Sequence, residues 1–167
     1  MKQPDYLDKF RPNVGICLFN KHGQIWLGHR VDTDSDYAWQ MPQGGMDAGE
    51  SAQEAAFREL YEETGVKSVH LLTSTPGWLI YEFPENYRNR KKRKWLGQRQ
   101  KWFAMLFHGD DSEVDLTAHE EQEFSDWRWG DLSEIPDLII PFKAGVYAEL
   151  VVAFQPLSDW LRKTNLD

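Results

Sequence analysis

Apolar and polar positions change period several times along this 167-residue chain. Residues 13–20 (NVGICLFN) form an apolar run, residues 21–24 (KHGQ) a polar break, and Ile25–Arg30 a second apolar-rich run, a succession that predicts a β-hairpin. A polar loop over residues 31–38 leads to Trp39, Gln40, Met41, Pro42 and a glycine pair. The period then turns helical. Ser51 with Glu54 three residues later reads as a capping box, Ala52–Thr64 contains no Gly or Pro, and Gly65 supplies a left-handed stop. Residues 68–75, 77–83 and 100–108 have the β-branched and aromatic content of strands, residues 127–129 predict one more, and residues 132–135 a helical turn. Over residues 142–161, Val146, Leu150, Ala153, Phe154 and Leu157 recur at helical intervals. Pro156 lies inside that pattern and predicts a kink or break just before it.

The helix over residues 52–64 is unusual in its charge. At about 100° per residue, Ala56, Phe57, Leu60 and Thr64 fall on one side, while Glu59, Glu62 and Glu63 share an arc of roughly 100° on another. One face is expected to pack and the other to concentrate negative charge. Like charges four residues apart, such as Glu59 and Glu63, cost about 0.2–0.5 kcal/mol, so stability alone does not select the arrangement. It is either a solvated acidic face or a set of hard oxygen donors for a divalent cation. Gly44 and Gly45 are expected to let the preceding loop turn tightly near a ligand. Arg58 stands one residue off the acidic arc, where charge-assisted hydrogen bonds would orient Glu50 or a neighbouring glutamate.

Length and composition set the outer bounds. A chain of 167 residues, 41% hydrophobic and 14% aromatic, is long enough for one packed core and short for two domains. No apolar run is long enough to span a bilayer, and the first residues have no apolar core segment, so a cytoplasmic protein without membrane association is expected. The single cysteine, Cys17, excludes an intramolecular disulfide and reads as a buried thiol. Histidines at positions 22, 29, 70, 108 and 119 have no zinc-ligand spacing.

Charge is uneven. Against a net of −8, residues 88–101 (RNRKKRKWLGQRQK) hold eight basic side chains and no acid. The run is either a solvated loop or a surface that tracks phosphates, with Trp95 available for stacking and with Arg99 and Lys101 its best-placed members. Sequence-specific DNA binding is not expected.

Gly44, five residues, Glu50, seven residues, then Arg58, Glu59, Leu60, Tyr61, Glu62, Glu63, Thr64, Gly65 and Val66 form a pattern that resembles the box of the Nudix hydrolases. The segments FRPNVG (10–15), WQMPQGG (39–45), GQRQKWF (97–103), EFSDWRW (123–129) and PFK (141–143) are similar to the branch that acts on RNA 5′-polyphosphates and dinucleoside polyphosphates. The resemblance spans residues 9–155, with the box at 44–66 and terminal extensions at 1–8 and 156–167. It implies an α/β/α sandwich with a mixed β-sheet, and a Mg²⁺-dependent (or Mn²⁺-dependent) hydrolase. Its catalytic group would be Glu59, Glu62 and Glu63 with Arg58, and its metal ligands Glu59, Glu62, Glu63 and Glu123. Substrate contacts are expected at Arg11, Arg30, Gly44, Gly45, Tyr81, Lys101, Phe142 and Lys143. The implied substrate is 5′-triphosphate RNA, converted to 5′-monophosphate RNA with release of pyrophosphate; the alternative is a dinucleoside polyphosphate, cleaved to give ATP. A non-catalytic nucleotide- or RNA-binding module is the remaining alternative, disfavoured because every carboxylate of the box is present. A monomer is expected. One departure is the loop VDTDSDYA (31–38), longer and more acidic than in some members, beside the expected substrate entrance.

Overall fold

The fold is organised by two long parallel strands that are far apart in sequence. The structure is a computed structural model and describes residues 4–33, 35–90, 94–164 and 166. In chain order its elements are α1 (Pro4–Leu7), β1 (Phe10–Phe19), β2 (Ile25–Arg30), β3 (Trp39–Gln40), β4 (Gln43–Gly45) and α2 (Ala52–Thr64). They continue with β5 (Val69–Ser74), β6 (Leu79–Glu82), α3 (Glu85–Arg90), β7 (Gly97–Phe107), β8 (Phe124–Gly130), α4 (Ile135–Leu138) and α5 (Ala144–Lys163). Strands β1 and β7 run parallel and in register from Phe10 opposite Gly97 to Phe19 opposite Leu106. All the other pairings are antiparallel, so the sheet is mixed, as expected.

The other edge of β1 changes partner along its length. Near its start it pairs with β4, Asn13 opposite Gly45 and Gly15 opposite Gln43, and near its end with β2, Phe19 opposite Ile25. Strand β2 then turns outward to pair with β3 and β8. The sheet is thereby split beside the first half of β1.

Alternation along β1 and β7 sends side chains to two cores. Val14, Ile16, Leu18, Phe103 and Met105 pack with Ala56 and Leu60 of α2. Cys17, Phe19, Trp102 and Ala104 pack with Tyr147, Leu150 and Phe154 of α5. Helices therefore cover both faces, the expected sandwich. Cys17 is fully buried, also as expected.

Three local expectations change. Strands β1 and β7 begin three residues earlier than their apolar runs because their polar first residues pair with each other. Helix α5 is not interrupted at Pro156 and runs on to Lys163. Beyond the proline, the Ser158 hydroxyl donates 2.7 Å to the Gly23 carbonyl and Leu161 is buried, so tertiary packing carries the helix past the missing donor. Residues 156–163, within the stretch read as a terminal extension, are the last turns of this helix. On α2, Phe57 is partly exposed while Glu63 is buried, so the packed face is rotated towards the acidic arc.

No helix among the described residues is long and apolar enough to cross a membrane. Gly15 packs closely beside the split, because a methyl group there would fall on the indole of Trp102. Gly15→Ala should cost about 1–3 kcal/mol through overpacking, read as a lower urea midpoint with an unchanged slope. An unaltered midpoint would contradict the packing described.

Candidate active site

The split beside β1 opens into a cavity of about 560 Å³. Its walls come from β1 (Arg11, Asn13), β4 (Gln43, Gly44, Gly45), α2 (Glu59, Glu62, Glu63), β6 (Tyr81), β7 (Gln98) and the loop before β8 (Glu121, Glu123). Arg30 and Lys143 complete it.

Helix α2 presents its glutamates because both ends are fixed locally. Ser51 Oγ accepts from the Glu54 N–H at 3.1 Å, and Gly65, at φ 74°, donates to the Tyr61 carbonyl. The like charges are held by one cation. Arg58 Nε and Nη2 donate to the two oxygens of Glu50 at 2.7 and 2.9 Å, and Nη1 donates to Glu59 at 3.0 Å and Glu62 at 3.2 Å. Nη2 also donates 2.9 Å to the Gly45 carbonyl. This bidentate grip holds the Glu50 carboxyl below the usual carboxylate range and pushes the Arg58 guanidinium further up. Asp47 N–H adds a bond to Glu50 at 2.9 Å, which closes the loop onto the helix.

The glycine pair works differently from the sequence expectation. Gly44 and Gly45 lie in strand β4 and neither has a positive φ, so no tight turn needs them. A Cβ on Gly44 would fall on the Glu59 carboxylate, and one on Gly45 would come 2.6 Å from Arg11 Nη2. Missing side chains here let an anion from α2 and a cation from β1 lie against the same short strand.

Glu63 is the most constrained carboxylate. It is 7% exposed, and among the described residues its side chain's one hydrogen bond is from the Gln43 N–H at 3.3 Å. Burial first, then the charges of Glu59 and Glu123, push its carboxyl well above the usual range. Burial also raises Glu59, against the pull of Arg58. Among the described residues no three His, Cys, Asp or Glu side chains stand close enough to hold an ion as they are placed. The donor set nevertheless fits a divalent cation: four carboxylates share one cavity, and the innermost lacks a compensating charge. Ligation would need the side chains to swing inward, away from Arg58 in the case of Glu59 and Glu62.

The other expected contacts divide. Arg11 and Arg30 enter the cavity; Arg30 Nη2 donates to Asp32 at 3.2 Å, while its buried Nε has no partner among the described residues. Lys143 Nζ lies 5.4 Å from the Tyr81 ring centre, and Tyr81 lines the cavity. Phe142 sits just outside, packed on Tyr81 and Tyr87 at ring-centre distances of 5.9 and 5.2 Å, and lines an adjoining recess of about 150 Å³ with Arg30 and Lys143. Lys101 does not reach the cavity. Side chains alternate along β7, so Gln98 and Gln100 face Asn13 and Gln43, and Lys101 points to the opposite side, beside Ser51 and Ser74.

Other side chains given no role from the sequence stand in or behind the cavity lining. Gln100 is fully buried, donates to Asn13 and Gln43 at 3.3 Å each, and accepts 2.9 Å from Trp102 Nε1. Amides alternating along an apolar strand were the available signal for this layer. His119 and Glu121 approach from the loop before β8, with His119 Nε2 4.0 Å from Glu62. The Val31 N–H donates 3.0 Å to the Glu123 carbonyl, joining the loop after β2 to this one.

A mixed sheet between helices, split over a cavity lined by both carboxylates and cations, has counterparts among known proteins. Residues 9–150 match the NUDIX domain family model, and the chain belongs to the Nudix family. It is a hydrolase of pyrophosphate bonds. An RNA pyrophosphohydrolase of Caulobacter vibrioides is 54% identical over 147 residues, which cover 87% of this chain and 86% of that one. The fold is shared with an Ap4A hydrolase of C. elegans (TM-score 0.62, 19% identity, 87% of this chain and 98% of that one). It is also shared with the E. coli dihydroneopterin triphosphate pyrophosphohydrolase (TM-score 0.65, 18% identity, 86% and 98%).

The position of Glu63 has a measurable signature. Its raised carboxyl makes ionisation unfavourable to the fold: the penalty is absent below the unfolded value of about 4.3 and grows as pH rises through the folded value. In chelator-treated protein, Glu63→Gln should therefore raise Tm at about pH 8 and lose that advantage near pH 4. A difference in Tm that does not vary with pH would contradict the burial described.

Proposed function

We propose that the chain converts 5′-triphosphate RNA to 5′-monophosphate RNA and releases pyrophosphate, acting as a cytoplasmic monomer. The observation that carries this reading is the mixed charge of one cavity. Glu59, Glu62, Glu63 and Glu123 line it together with Arg11, Arg30 and Lys143. A phosphate chain with bound cations matches both sets of groups. The similarity to the Caulobacter vibrioides RNA pyrophosphohydrolase across most of both chains supports RNA as the substrate.

The four glutamates would hold Mg²⁺ or Mn²⁺, which when bound offsets phosphate charge and acidifies the attacking water. Arg58 gathers Glu50, Glu59 and Glu62 around one charge and holds Glu59 and Glu62 beside the cavity until an ion draws them inward. Arg11 and Arg30 bind phosphate oxygens through guanidinium forks, which suit bidentate contact. Either Glu62 or Glu63 takes the proton as water oxygen bonds to phosphorus, and the bridging P–O bond breaks with its electron pair on the departing pyrophosphate. Tyr81 and Phe142 give the first bases apolar surfaces beside the phosphates.

Turnover should vanish with a chelator and return with Mg²⁺ or Mn²⁺; turnover that persists without a divalent ion would refute the role of the glutamates. Side by side with Mg²⁺, 5′-triphosphate RNA should be hydrolysed with higher kcat/KM than diadenosine tetraphosphate or free nucleoside triphosphates. Preference for diadenosine tetraphosphate would transfer the assignment to dinucleoside polyphosphates.

A further inference from the structure

Helix α3 forms part of the cavity rim, and its outer end carries charge that the described residues leave unneutralised. Tyr87 of α3 lines the cavity, and one turn later the Arg90 guanidinium lies 5.9 Å from the centre of that ring. Lys94 Nζ stands 5.1 Å from the Trp95 ring centre. Both rings pack against the core on the α5 side of the sheet, so these cations lie on the side from which Tyr87 meets the cavity. Arg88, Arg90 and Lys94 form no ion pair among the described residues. That is notable in a chain of net charge −8.

Elsewhere the lining carries carboxylates: Asp32 from the loop after β2, paired with Arg30, and Glu121 and Glu123 from the loop before β8. A polyanion with its end in the cavity is repelled by these carboxylates and drawn to the cations at the end of α3.

We propose that the part of an RNA substrate downstream of its 5′ end leaves the cavity over α3 and lays its phosphates on Arg88, Arg90 and Lys94. This rests on the RNA reading above and adds a surface to it. These cations, with Arg90 and Lys94 exposed and Arg88 half-buried, contact phosphates without reading sequence, so the surface raises affinity for single strands of any sequence. It also separates the two substrate classes. All the phosphates of a dinucleoside polyphosphate lie between its two nucleosides, and it has none to extend along α3. The basic run of residues 88–101 is thereby divided: Arg99, stacked 4.8 Å from Trp78, and Lys101 lie on the other face of the sheet and take no part, while residues 91–93 fall outside the described residues.

The test is a variant combining Arg88→Gln, Arg90→Gln and Lys94→Gln. It is assayed on a 5′-triphosphate single-stranded RNA of about twenty nucleotides and on a 5′-triphosphate dinucleotide in one buffer. On the long RNA, kcat/KM should fall about tenfold and its log–log salt slope should lessen by about 2, the effect of losing three single-strand phosphate contacts. On the dinucleotide it should stay within about twofold, which also shows that the variant is folded. Equal losses on both substrates, or none on the long RNA, would overturn the proposal. Failure of the unaltered protein to hydrolyse either RNA would instead overturn the RNA reading, and this surface with it.

Discussion

One guanidinium makes the acidic helix possible. Arg58 meets Glu50, Glu59 and Glu62 and the Gly45 carbonyl, and so joins α2, the loop before it and strand β4 around a single positive charge. Without that cation, Glu59 and Glu62 would repel each other on the helix surface and the loop would lose its tether. Because the arginine is only partly exposed, its interactions are less screened than those of a surface pair. It neutralises part of the cluster and leaves Glu63, deeper in the wall, with only a backbone N–H.

The cavity exists because β1 has two partners in succession. A strand that paired with β2 along its whole length would close the sheet where Arg11 and Asn13 now meet Gly44 and Gly45. The consequence is a site built from backbone as much as from side chains: β4 is three residues long, with two glycines that make room for an anion and a cation from neighbouring elements. The amides of Asn13, Gln43 and Gln100 meet there, with Gln100 donating to the other two, so this part of the site is polar without being charged.

Much of this was legible in the chain. The bounds of α2 follow from Ser51, Gly65 and the absence of breakers between them, all local signals; the acidic cluster follows from helical spacing, and the sandwich from the resemblance to the Nudix hydrolases. What was not legible depends on distant neighbours. Nothing in the helix period says that Glu63 is buried and Phe57 partly exposed, because that depends on where the split sheet stops covering α2. The role of the glycine pair was misread as turn formation, since only the fold brings Glu59 and Arg11 over it. Pro156 breaks a local rule that a buried serine and leucine further along outweigh. Lys101 is the instructive case. Strand alternation separates it from Gln98 and Gln100 by elementary geometry, and proximity in sequence to other cations hid that fact.

The backbone bond from Val31 to Glu123 has a further meaning. It fastens the acidic loop after β2 to the carbonyl of a carboxylate facing α2, a residue more than ninety positions later in the chain. It continues the β2–β8 ladder one step beyond Arg30 opposite Phe124. The fourth carboxylate is therefore placed by a sheet edge and not by the box, and a change that weakened that edge would move Glu123 relative to the helix without altering any residue of the box.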